Sequence, residues 1–168
     1  MIALYIKDLK PFMHELFLTP TFDHFLVPEA CITTFSTFQI DGSLEREYYT
    51  TEELEQIPAL QEQTATWSQL RPICFQLIRG KKTPLNMKII FRLPVIQLEK
   101  LLSRGDFHYT SADVGGLYLN IHFNGTSLSC TTGTSMRMFT LDKSLEQEWD
   151  RLIQKFFLTQ NLSFSTEP

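Results

Sequence analysis

Leu117, Leu119, Ile121 and Phe123 alternate with Tyr118, Asn120 and His122 within GLYLNIHFNGTSLSCTTGTSMRMF, residues 116 to 139. A two-residue period puts every apolar side chain on one face of a strand. Asn124-Gly125 follows, the pair favoured in a two-residue hairpin turn because both central residues need positive φ. A turn there sets Ile121 opposite Leu128 and Leu119 opposite Cys130, so the apolar face runs on across both strands. A third short strand, SMRMFT, is predicted after Gly133.

Ahead of this hairpin, LNMKIIFRL alternates in the same way, and Pro94 opens a helix, PVIQLEKLLSRG, that Gly105 stops. After it, Leu145, Trp149, Leu152, Ile153, Phe156 and Phe157 form one helical stripe, with Ser144 and Gln147 spaced as a capping box. The second half therefore reads β-α-(β)-β-β-β-α. The first half has the same order. IALYI is a strand, and Asp8 is placed to cap a helix carrying Leu9, Phe12, Met13, Leu16 and Phe17. CITTFSTFQIDGSLEREYY is a hairpin candidate about Asp41-Gly42. Leu70, Ile73, Cys74, Leu77 and Ile78 recur at helical spacing, with Pro72 limiting where that helix begins. Pro11 and Pro94, Asp41-Gly42 and Asn124-Gly125, and the two final stripes recur at one fixed offset, which suggests a single domain built by internal duplication, with halves 1–83 and 84–168. The expected fold class is α+β: two similar β-α-β-β-β(-α) halves, their antiparallel sheets covered by helices on one side.

Composition supports a folded interior. The chain has 168 residues, 43% of them hydrophobic, with 14 Phe, and no Gly/Ser-rich or Pro-rich run interrupts it. No stretch approaches the roughly 18 apolar residues of a membrane span, and the N-terminal residues meet charges too early for a signal peptide, so the expected location is cytoplasmic. Cys31, Cys74 and Cys130 are far apart, odd in number and without a CxxC pair; they read as ordinary buried thiols.

The pattern resembles the DNA sliding-clamp fold, itself built from paired β-α-β-β-β units. MIALYIKDLKPFMHELF resembles a clamp's first strand and helix, WSQLRPICFQLIRGKKTPLNMKIIF is similar to the helix and strand at the middle of a clamp domain, and residues 116–139 resemble the repeated hairpin that ends in an arginine, here Arg137. A clamp chain carries two or three such domains and closes as a ring; this chain carries about one. The element order also resembles the TATA-binding-protein fold, and the whole chain resembles an uncharacterised protein family of Firmicutes.

The net charge of −4 argues against general attraction to nucleic acid, but the charges are sorted. Residues 41–62 hold Asp41, Glu45, Glu47, Glu52, Glu53, Glu55 and Glu62 against Arg46. Residues 71–104 hold Arg71, Arg79, Lys81, Lys82, Lys88, Arg92, Lys100 and Arg104 against Glu99. Arg79, Lys81, Lys82, Lys88 and Arg92 are the candidate phosphate contacts. The resulting expectation is a non-enzymatic, clamp-like protein associated with DNA or with replication and repair proteins, free of cofactor and metal, and a candidate homo-oligomer. A second reading is a protein-interaction module using exposed aromatics among Phe22, Phe25, Phe35, Phe38, Tyr48 and Tyr49. A third is a small hydrolase around His122 with Ser127, Ser129 and Thr131, or around Asp106 and His108. His14, His24, His108 and His122 lack metal-ligand spacing.

Overall fold

A computed structural model describes residues 1–57, 60 and 62–168. The elements are β1 (Ala3–Ile6), α1 (Leu9–Phe17), β2 (Leu26–Thr33), β3 (Thr37–Asp41), a 3-10 turn (Arg46–Tyr48), α2 (Thr51–Gln56), α3 (Trp67–Ile78), β4 (Asn86–Arg92), α4 (Val95–Arg104), a second 3-10 turn (Ser111–Asp113), β5 (Val114–Phe123), β6 (Leu128–Met136), α5 (Ser144–Thr159) and β7 (Phe164–Ser165). The strands make one 7-stranded sheet in the order β3-β2-β4-β5-β6-β1-β7, with neighbouring strands antiparallel. The fold is α+β, with α1, α3 and α5 against one sheet face, as the hydrophobic pattern predicts.

That face is the core. Leu4, Ala30, Ile32, Met87, Ile89, Phe91, Leu119, Ile121 and Cys130 point into it and are fully buried. Phenylalanines fill the space between helices and sheet: Phe25 stacks on Phe91 with centroids 5.2 Å apart, Trp67 meets Phe91 edge-on at 5.3 Å, and Phe12 meets Phe157 at 5.7 Å. Both tryptophans spend their N–H on carbonyls, Trp67 on Leu16 and Trp149 on Tyr118, each at 2.8 Å. The opposite face carries Glu29, Cys31, Lys88, Ile90, Tyr118, Asn120, His122, Ser129 and Thr131, none of them buried.

Several sequence expectations shift in detail. The β2–β3 hairpin turns at residues 34–36, where the Thr34 N–H donates to the Ser36 carbonyl at 2.9 Å, and not at Asp41-Gly42. The β5–β6 connection is four residues long, 124–127, so Ile121 pairs with Cys130 and Leu119 with Thr132. Asn124 Oδ1 accepts from the N–H groups of Thr126 and Ser127 and from the Thr126 hydroxyl, which favours this wider turn over the two-residue one. Residues 135 and 136 belong to β6, so SMRMFT is not a strand of its own. α3 begins at Trp67, held by a Thr66–Gln69 capping box, and Pro72 lies inside it; the carbonyl that Pro72 leaves unbonded belongs to exposed Ser68 and faces water. Lys143 is the N-cap of α5, and Asp142, not Ser144, supplies the side-chain oxygen, accepting from the Ser144 N–H at 2.8 Å. Asp8 occupies the N-cap of α1 without a side-chain bond. In both halves a strand, a helix and a hairpin precede further helices, but the halves do not pair alike: β1 lies beside β6, whereas β4 lies between β2 and β5. No helix among the described residues is long and apolar enough to cross a membrane.

Candidate nucleic-acid interface

The basic segment 79–85 is placed by α3 and β4. α3 ends at Ile78, and Gly80 turns the chain with φ +136°, a conformation that favours glycine. Lys81 and Lys82 follow in the open, Pro84 is buried, and the Leu85 N–H donates to the Thr33 carbonyl at 2.9 Å as the chain enters β4. The 34–36 turn therefore sits beside this loop. The 124–127 turn sits on its other side, because a Cβ built on Gly125 would lie 3.1 Å from the Leu85 carbonyl oxygen. Strand order thus brings separate stretches of sequence to one end of the sheet.

The chemistry immediately around the loop is one-sided. Residues 33–40, 79–90 and 120–131, the stretches beside the loop, contain no Asp or Glu; β1 reaches the same end of the sheet beyond β5 and β6, with Lys7 and Asp8. Arg79, Lys81 and Lys82 are exposed there, and Lys88 stands on the uncovered sheet face between Cys31 and His122. Phe35 is 93% exposed at the hairpin tip, edge-on to Phe38 at 5.6 Å, and Leu85 is 66% exposed. Cations around a free aromatic ring suit a ligand that offers phosphates and flat apolar groups together.

Arg92 does not join them. It is four residues along β4 from Lys88, roughly 13 Å, and its guanidinium donates to Thr64 Oγ1 at 3.1 Å and lies 3.8 Å from the Glu62 carboxylate. Glu62 in turn accepts from the Val95 N–H at 2.7 Å, so this pair fixes the start of α4 to the acidic segment.

The residues of the hydrolase reading are dispersed. His122 faces Ser129 across the β5–β6 ladder, but its recorded hydrogen bond is to Asn86, 3.2 Å away. Asp106 and His108 lie exposed in the loop after α4. Burial pushes the Cys74 thiol up to about 12 and raises that of Cys130 as well, so both stay protonated near neutrality. Of the aromatics named from sequence, Phe22 and Phe25 are core residues, while Phe35 and Tyr48 are exposed. The alternation in LNMKIIFRL places Leu85 on the core face, but it precedes β4 and is exposed; sequence reasoning missed the groove between α4 and α5 described below, since nothing in a single chain of letters shows that two helices fifty residues apart lie side by side.

The site is therefore an exposed surface, basic and aromatic, of a one-sheet α+β protein. The chain belongs to the family of unknown function DUF5721, whose model matches residues 15–165. No curated protein and no solved structure matches it.

Proposed function

We propose that the protein is a non-enzymatic, clamp-like module that associates with DNA or with DNA replication and repair proteins, seating phosphates on the basic loop at one end of its sheet. The observation that supports this reading is that the loop carrying Arg79, Lys81 and Lys82 enters β4 beside the 34–36 turn with its exposed Phe35, with Lys88 on the uncovered face of the same strand and no Asp or Glu in residues 33–40 or 79–90. Each cation that meets a phosphate releases a counterion, so affinity falls steeply with salt. Phe35 offers a stacking surface to an unpaired base.

The test is fluorescence anisotropy with labelled duplex and single-stranded DNA across a salt series. The wild type is expected to bind with a log–log salt slope of about −3 to −4, as four phosphate contacts give. The variant Arg79→Ala, Lys81→Ala, Lys82→Ala, Lys88→Ala loses binding. Phe35→Ala weakens single-strand binding by about 1–3 kcal/mol and duplex binding less. Arg92→Ala, whose partner is Glu62, leaves binding unchanged. Absence of binding at low salt, or binding untouched by the fourfold variant, overturns the proposal.

A second reading, a protein-interaction module without DNA, is favoured by a different observation. Met138, Phe139 and Leu141 are 51%, 88% and 83% exposed in one short segment before α5, at the other end of the sheet. Capture of a protein partner that is lost in Phe139→Ser and retained in the fourfold variant would support it.

A further inference from the structure

α4 and α5 lie side by side and leave a groove of about 660 Å³ between them. Leu101, Phe107 and Leu152 make its floor apolar, with Trp149 beneath. Lys100, Arg104, Arg151 and Lys155 stand along it, against one carboxylate, Glu148. Arg151 takes up that carboxylate through two bonds, at 2.6 and 2.8 Å, and holds its pKa below the usual range. Lys100, Arg104 and Lys155 form no ion pair among the described residues.

The complementary surface is on the same chain. The 3-10 turn Arg46–Tyr48 and helix α2 contain no buried residue. The segment is nonetheless ordered: Thr50 and Glu53 form a full capping box, with the Thr50 N–H on Glu53 Oε2 at 2.8 Å. Glu47, Glu52 and Glu55 are exposed and meet no cation in an ion pair among the described residues, and Tyr48 is 84% exposed. An ordered element with no fully buried side chain, only Tyr49 and Leu54 being half-buried, adds little core energy to its own fold, and this one carries three carboxylates outside any ion pair among the described residues and an exposed aromatic ring.

We propose that residues 45–57 of one copy dock in the α4–α5 groove of a second copy. Glu52 and Glu55 share one face of α2 at i, i+3, and Lys100 and Arg104 share one face of α4 at i, i+4, so both pairs present their charges at similar spacing, about 5–6 Å between Cβ atoms. Tyr48 enters the floor between Leu101 and Leu152, and Glu47 meets Lys155. The two surfaces differ, so the contact is heterologous: each copy offers both a groove and a segment, and association continues beyond a dimer unless the rotation closes.

Sedimentation velocity over a concentration series tests this at low and high salt, with four chains: wild type, Lys100→Glu/Arg104→Glu, Glu52→Lys/Glu55→Lys, and the chain carrying all four changes. All changed residues are exposed, and circular dichroism with thermal melting checks that each variant folds. The wild type is expected to form species larger than a dimer as concentration rises, dissociating with salt. Either single-surface reversal raises the dissociation constant by roughly a hundredfold or more. Mixing the two reversed chains, or placing all four changes in one, restores association. A wild type that stays monomeric, a reversal that leaves assembly intact, or a folded mixture that fails to associate overturns the inference. None of these residues contacts DNA in the function proposed above, so the two proposals fail independently.

Discussion

At Gly42 a single methyl group would sit 1.6 Å from the Val27 carbonyl oxygen and 3.3 Å from that of Pro28. The Gly42 N–H donates to Pro28 at 2.9 Å, and its carbonyl accepts from the Ala65 N–H at 2.7 Å. Both neighbouring backbones therefore approach it as closely as strands allow. Gly42→Ala is expected to destabilise the protein by about 1–3 kcal/mol or more, since the obstacle is main chain and cannot rotate away; urea denaturation measures this. Asp41-Gly42 looks like a turn pair in the sequence because glycine has two unrelated uses, positive φ and close approach, and the letters do not say which. Asp41 adds to the ambiguity: its Oδ1 accepts from the Ser43 N–H at 2.9 Å, a local bend typical of aspartate that is not a hairpin.

Elements were more legible than their ends. The stripes Leu9 to Phe17 and Leu145 to Phe157 and the alternations in β4 and β5 all mark real elements, because each has one face against a large core. The hairpin after β5 was placed two residues off register. A shift of two preserves the face of every side chain, so hydrophobic pattern alone could not distinguish it; only the Asn124 side chain, bonding forward to three groups, decides. The candidate interface was half legible. The run of basic residues was visible, but Arg92 is claimed by Glu62, thirty positions earlier, and Phe35 reaches the loop only because β2 lies beside β4. The end of α1 shows a local tie with a pH signature. Thr21 Oγ1 donates to Glu15 Oε2 at 2.5 Å and Thr19 Oγ1 at 2.9 Å, and the Thr21 bond above all holds the Glu15 carboxyl below its usual range. A depressed carboxylate contributes stability that is present above its unfolded value, about 4.3, and is lost as pH falls through the folded one. Thr21→Val is expected to return the Glu15 pKa toward its ordinary value, read by carbon-detected NMR titration, and to flatten the acid limb of a stability–pH curve. An unchanged Glu15 titration would show that the hydroxyl does not set it.

On the scale of the whole molecule, the chain's net charge of −4 hides a polarity along the sheet. β4 and its flanks run from the basic loop at Leu85 to the α4–α5 groove at Leu93, roughly 26 Å, so the proposed phosphate surface and the proposed groove lie at opposite ends of one strand. The Debye length is about 8 Å at physiological salt and about 30 Å at 0.01 M. At physiological salt the two surfaces are therefore screened from each other, and their variants are expected to dissociate cleanly. Neutralising Arg79, Lys81, Lys82 and Lys88 abolishes DNA binding and leaves self-association unchanged, while Lys100→Glu/Arg104→Glu abolishes self-association and leaves the DNA affinity of the monomer unchanged. At 0.01 M the screening length exceeds the separation, and the four units of negative charge added by the groove reversal should weaken DNA binding several-fold through the field alone. Anisotropy titrations of that variant at both salts decide the matter. A loss of DNA affinity that persists at physiological salt would place Lys100 and Arg104 within the phosphate surface itself, and the separation of the two ends would have to be abandoned.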